Sequence, residues 1–160
     1  MDCLQLGGVD QICIVVSDIR KSMEHYWKLL GLGPWSIYTA EPPDLKEMTV
    51  HGRPAVYSMK IAHCKAGTLM LELIQPLKGE SIYKEFSDRK GAGVHHIASY
   101  SVKDVESAVS NLNSEGINVI QTGKWKGASF FYMDTEDILG LVLELVHRSR
   151  SLPPPDETYP

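Results

Sequence analysis

Residues 68–75 read TLMLELIQ, and residues 140–147 read GLVLELVH. The two stretches align without a gap and set Glu72 over Glu144. Side chains of a strand alternate between its faces. Leu71 and Leu73 then share one face, and Met70, Glu72 and Ile74 the other. Leu143 and Leu145 flank Glu144 in the same way. A carboxylate between leucines in a central strand is costly to bury unless it is paired, hydrogen-bonded or bound to metal. One such glutamate would suit the wet face of an antiparallel sheet. Two at matching positions of a repeat point to a shared task.

The repeat extends outward. Val9-Asp10-Gln11-Ile12 aligns with Val94-His95-His96-Ile97. Each is followed by a β-rich stretch, an Asp and a helical pattern. The chain therefore reads as two copies of one module, 8–78 and 92–147, joined by a connecting segment at 79–91. Spacing predicts a first helix over 18–30, with Ile19, Met23, Trp27 and Leu30 on one stripe. Ser17 or Asp18 can cap its start, and Gly31 and Gly33 fit its end. A second helix is predicted over 104–115, with Val105, Ala108, Val109 and Leu112 on one face, capped by Asp104 and stopped by Gly116. A short helix is expected at 81–90.

Strands are predicted at 11–17, 34–40, 54–63 and 68–75, then at 96–102, 117–125, 128–134 and 140–147. Each module reads β-α-β-β-β, which makes the fold class α+β. The Pro-containing, charged segment 40–54 is expected to be a mobile flap. The polar, Pro-rich tail 148–160 is expected to be poorly ordered.

Gln11 and His96 open equivalent strands. With Glu72 and Glu144 they form a convergent set of one amide oxygen, one imidazole and two carboxylates. Such a mixed set suits a divalent metal of the Zn, Ni, Co, Mn or Fe kind. Four protein ligands leave room for water or substrate only on a five- or six-coordinate ion, which argues against a closed structural zinc.

Composition narrows the function classes. The chain has 160 residues, 43% of them hydrophobic and 22% charged, as in ordinary globular proteins. A chain of that length buries roughly two-thirds of its unfolded surface. The net charge of -4 and the absence of a basic stripe exclude nucleic acid as an expected partner. No apolar run approaches the ~18 residues of a membrane helix, and the N-terminus lacks the pattern of a secretory signal. A cytoplasmic location is expected. Cys3, Cys13 and Cys64 are an odd set without C-x-x-C spacing, so they read as free thiols.

The stretches VDQICIVVSDIRKSMEHYWKLLGLGPW, LELIQPL, GVHHIA and LVLELV resemble the vicinal-oxygen-chelate superfamily, the glyoxalase/bleomycin-resistance/dioxygenase group. The likeness spans about residues 8–147 and is strongest to methylmalonyl-CoA epimerase and glyoxalase I. It implies paired βαβββ modules that form one curled mixed sheet around a metal cleft. It also implies metal ligands at Gln11, Glu72, His96 and Glu144. His95 would point away from the cleft by alternation. Epimerase-like members carry His where Gln11 stands, whereas glyoxalase I of eukaryotic type has Gln there. The epimerase also uses an acid on an inner strand of the first module. PAVYSMKIAH (54–63) offers Tyr57 at that strand but no acid.

The resemblance implies a lyase, isomerase or epimerase. It would remove a proton next to a carbonyl of a small, possibly thiol-conjugated, substrate and stabilise an enediolate with the metal. The base would be Glu144 first and Glu72 second. Trp35, Tyr38, Tyr57, Trp125 and Phe131 are the candidate pocket aromatics. Arg53, Lys124 and Lys126 are candidates to meet an anionic group. Relatives are commonly homodimers, so a second copy is an expected partner. Two alternatives stay open: a non-catalytic small-molecule-binding module and a metal-dependent dioxygenase. Gln11 argues against the dioxygenase, which needs two His and one Glu around iron.

Overall fold

The computed structural model describes residues 4–148 and 152–160. The first module contains β1 (Gln11–Val15), α1 (Ile19–Leu30), β2 (Trp35–Ala40), β5 (Ser58–Ala66) and β6 (Leu69–Lys78). A hairpin of β3 (Leu45–Val50) and β4 (Arg53–Pro54) interrupts it. Helix α2 (Ile82–Lys90) leads to the second module: β7 (Gly93–Ser99), α3 (Val105–Ser114), β8 (Val119–Trp125), β9 (Ala128–Met133), α4 (Glu136–Leu139) and β10 (Val142–Arg148). β11 (Glu157–Tyr159) follows.

Capping fixes the helices. Asp18 accepts from the Lys21 amide at 3.0 Å, and Gly31 ends α1 in the left-handed region at φ 67°. Asp104 caps α3 by accepting from the Ser107 amide at 2.9 Å. Ser81 caps α2 through the Lys84 amide at 3.2 Å.

All strands join one mixed sheet, in the order β11-β2-β5-β6-β1-β7-β10-β9-β8-β3-β4. β1 pairs antiparallel with β7 at the seam between the modules. Moving outward from that seam, β1 meets β6 in parallel and β7 meets β10 in parallel. β5 and β2 continue one half, and β9 and β8 the other. The sequence repeat is thus a structural repeat: two βαβββ modules in an α+β fold. The sheet is open and curled. Tyr38 on β2 and Trp125 on β8 belong to opposite wings, yet their ring centroids are 5.5 Å apart.

Helices α1 and α3 each cover the convex face of their own module. Ile19 and Met23 of α1 pack with Trp35, Ile37, Ala62 and Leu73. Val105 and Ala108 of α3 pack with Met133, Leu143 and Leu145. The concave face carries the largest cluster, which draws on both modules and on α2.

Two segments differ from their sequence reading. The segment expected as a mobile flap forms β3 and β4, and β3 pairs with β8 of the other module. Thr49 and Thr122 share a 2.8 Å hydroxyl contact across that pair. The tail, expected to be poorly ordered, adds β11 to β2, with Tyr159 opposite Trp35. An unfilled strand edge supplies the backbone partners that local polarity does not reveal. Residues 149–151 of that tail lie outside the described residues.

Candidate metal centre

β1 sets the geometry. Gln11, Cys13 and Val15 are buried, with Ile12 and Ile14 half-buried on the opposite face. Cys13 lies opposite Glu72 on β6 and His96 on β7, and Glu72 lies opposite His63 on β5. Gln11 lies opposite Ala98, which lies opposite Glu144 on β10. Polar side chains from both modules thus form adjacent rows across the floor of the cleft. The methyl of Ala98 leaves space between Gln11 and Glu144.

The structure brings together all the residues chosen by the repeat. Gln11 is 2% exposed, Glu72 6%, His96 0% and Glu144 5%. His96 Nε2 lies 3.3 Å from a Glu72 oxygen and 3.2 Å from a Glu144 oxygen. Neither approach has hydrogen-bond geometry, so Nε2 is a buried ring nitrogen without a hydrogen-bond partner. The Gln11 amide donates to Glu72 Oε2 at 2.9 Å. His63 Nε2 meets Glu72 Oε1 at 2.7 Å. The Tyr100 hydroxyl donates to the Gln11 amide oxygen. Donor atoms of Cys13, Glu72 and His96 all lie within 4.8 Å of one another.

Charge is concentrated here. Burial alone would raise the Glu72 pKa, but His63 and His96 pull it well below the ordinary carboxylate value. Burial alone would lower the His96 pKa, but the facing Cys13 and Glu144 hold it well above the ordinary value. Burial pushes the Cys13 thiol up. Two carboxylates and an imidazole with no solvent to screen them form an arrangement that a bound cation would relieve.

Those residues fit a divalent ion. The donor set is mixed oxygen and nitrogen, and the open His96 Nε2 is the atom an imidazole ligand offers. Gln11 would ligate through its amide oxygen, which here takes the Tyr100 hydroxyl.

His95 departs from its expected direction. The β1–β7 register slips between Cys13 and Ile14, so His96 faces Cys13 while Val94 faces Ile14. His95 is the extra residue of this bulge, and alternation fails across it. Its ring is buried, 5.5 Å from Tyr83 and 5.1 Å from Phe86 of α2. Its Nδ1 lies 2.9 Å from Nδ1 of His96. Burial, with the neighbouring His96, lowers the His95 pKa to about 3, so it stays neutral. The contact between the two rings occupies Nδ1 of His96 and leaves Nε2 as the ring nitrogen facing the two carboxylates.

The sequence-selected aromatics divide. Trp125 lines the cleft together with Phe130, Tyr132 and Tyr83. Tyr38 and Tyr57 belong to the concave-face core, Tyr57 donating its hydroxyl to the Thr122 carbonyl at 2.8 Å. Trp35 and Phe131 do not face the cleft. Trp35 is buried under α1 and donates to the Leu32 carbonyl, and Phe131 packs with the α3 cluster. Alternation explains both, because Trp35 is an odd number of residues from Tyr38, and Phe131 from its lining neighbours Phe130 and Tyr132. The cationic candidates are spent elsewhere: Lys124 pairs with Glu47 at 2.8 Å, Lys126 pairs with Asp44, and Arg53 is exposed on β4. Arg148, which sequence reasoning passed over, lines the cleft.

His63 was also missed, although the repeat carries a signal for it. His63 is opposite Glu72 and Tyr132 is opposite Glu144, so the two are equivalent. The longer β9–β10 connection, which holds α4, hides that match from an ungapped alignment.

Comparison with known proteins agrees with the architecture. The chain is 26% identical over 143 residues to the uncharacterized protein YqjC of Bacillus subtilis, covering 88% of this chain and 91% of that one. It is 23% identical over 145 residues to mitochondrial methylmalonyl-CoA epimerase of Mus musculus, covering 88% and 73%. The crystal structure of methylmalonyl-CoA epimerase from Mycobacterium tuberculosis superposes with a TM-score of 0.67 at 21% identity, over 94% of each chain. Residues 10–132 match the Glyoxalase/Bleomycin resistance protein/Dioxygenase superfamily, and the chain belongs to that family.

Proposed function

We propose that this protein is a metal-dependent lyase, isomerase or epimerase of the glyoxalase type, which moves a proton next to a carbonyl of a small substrate. One observation carries the reading: Gln11, Glu72, His96 and Glu144 converge, buried, around the unpartnered Nε2 of His96. These residues would hold the ion. A divalent ion bound there supplies a Lewis acid toward the oxygens of the substrate.

The chain's own groups would move the proton. Glu144 is the better base of the two carboxylates. Glu72 is held by His63 on one oxygen and by Gln11 on the other. Glu144 has His96 as its ion-pair neighbour and would be the carboxylate that turns toward a C–H bond. The C–H bond breaks, the proton passes to a Glu144 oxygen, and the electron pair moves onto the carbonyl. Return of the proton from Glu144 to the adjacent carbon would complete isomerisation, and delivery of a proton to the other face by a second donor, with Glu144 left protonated until it exchanges with solvent, would complete epimerisation. Tyr83, Trp125, Phe130 and Tyr132 would exclude water from this step.

Deuterium exchange from solvent into α-protons, followed by NMR, tests the reading. Protein loaded with Zn, Ni, Co or Mn is incubated with methylmalonyl-CoA and with small 2-oxo and 2-hydroxy acids. Exchange in the wild type and its loss in Glu144→Gln is the expected result. Ion loading without exchange in any substrate would leave only a binding module. Failure to take up a stoichiometric ion would remove the proposal altogether.

A further inference from the structure

Val146 and Arg148 follow Glu144 on the inward face of β10, and all three line the cleft. Four residues of strand place the Arg148 backbone roughly 13 Å from that of Glu144. The side chain turns back across this gap. Its guanidinium lies 4.5 Å from the centroid of the Tyr100 ring, and the Tyr100 hydroxyl reaches Gln11. Only one phenol ring therefore separates the cation from the candidate ligands. Opposite Arg148 on β9 stands Ala128, whose methyl leaves the guanidinium room.

Arg148 is also unused. Among the described residues no carboxylate pairs with it, whereas the exposed Arg20 pairs with Glu157 and the exposed Arg89 with Glu136. Its Nε is buried with no hydrogen-bond partner among those residues. An Arg that stacks on an aromatic face and keeps its donors open suits bidentate capture of a planar anion. The whole cleft that Arg148 shares with Gln11, Glu72 and Glu144 has a volume of about 50 Å³, and Ile61, Ile74 and Leu152 add apolar walls. That is room for a few heavy atoms and not for a nucleotide.

We infer that Arg148 is the substrate-anion receptor of this site, selecting small carbonyl compounds that bear a carboxylate. The inference rests on the metal-dependent reading above for the reacting end, but the anion contact is measurable without turnover.

Calorimetric titration decides it, with malonate as the carboxylate probe, uncharged malonamide as its isostere and free CoA as the phosphate-bearing rival. Each is added to wild type, Arg148→Lys and Arg148→Met, in ion-loaded and chelator-treated forms. Ion affinity is measured separately for each variant. Malonate should bind wild type better than malonamide does. Arg148→Met should weaken malonate about tenfold or more, the cost of losing a charged hydrogen-bond partner, while ion affinity is unchanged. Arg148→Lys should recover part of the loss. Equal malonate binding by wild type and Arg148→Met, or no malonate binding at all, overturns the inference. Dependence on Arg148 for CoA alone also overturns it, since phosphate would then be the anion. If Arg148→Met loses its circular-dichroism spectrum, Arg148→Gln takes its place in the same comparison. A protein that takes no ion but binds malonate through Arg148 would sink the catalytic reading and leave this one standing.

Discussion

Single side chains around the cleft have separable tasks. His63 holds one oxygen of Glu72, and His95 holds Nδ1 of His96. Neither is a candidate ligand, yet each orients one. Partners of this type are worth about 10–100-fold in metal affinity. His63→Leu and His95→Phe should each weaken divalent-ion binding by that factor, read by competition with a chelating dye, with the fold retained. Unchanged affinity in both would mean that the ligands are positioned by the sheet alone. The visibility of these residues in the sequence follows the same division. Glu72 and Glu144 were legible because a leucine-flanked carboxylate recurs in a gapless repeat. Gln11 and His96 were legible through the alignment upstream and through the family resemblance. His63 and Tyr132 occupy equivalent places with different chemistry, and a connection of different length separates each from its glutamate. His95 could not be aimed correctly, because a bulge has no signature in alternation and only the partner strand reveals it.

At the level of elements, one turn fixes the exit from β6. Gly79 has φ +76°, and a Cβ there would lie 2.0 Å from the Val56 carbonyl oxygen. The clash is with backbone, which has no rotamer to yield. Gly79→Ala should cost about 2 kcal/mol or more, from left-handed strain and overpacking together. Gly52 has a similar φ of +74° but open space around it. Gly52→Ala should cost only about 1 kcal/mol, the strain alone. Urea midpoints of the two variants would check the difference, and equal losses would rule out the contact. The strands and principal helices were readable from period and caps. The β3–β4 hairpin was not, since its partner β8 lies in the other module and a polar segment rich in Pro reads locally as loop.

The whole molecule joins the site to the fold. Gln11 and Glu72 come from one module, His96 and Glu144 from the other, and all lie in one chain. Ion uptake should therefore be one per chain, and it should stabilise the folded state as a unit. At about a hundredfold excess over the dissociation constant, the gain is about 2.7 kcal/mol. A rise in Tm with Zn, Ni, Co or Mn that disappears with chelator is the expected outcome, and no rise with any of them would count against the metal site. No helix among the described residues is long and apolar enough to cross a membrane.

The C-terminal strand has a second consequence. β11 satisfies the outer edge of β2 through Glu157, Thr158 and Tyr159, and Asp156 accepts from the Thr39 amide at 2.8 Å. The opposite edge ends in β4, where Pro54 has no N–H to offer. The sheet thus presents two very short margins, with little unpaired backbone for another molecule to extend. Deleting residues after Arg148 would uncover the six-residue β2, including Trp35 and Tyr38. Light scattering should then grow with protein concentration in the truncated protein and stay flat in the full chain. The segment that reads locally as a polar tail would, on these grounds, cover a strand edge that another molecule could otherwise extend.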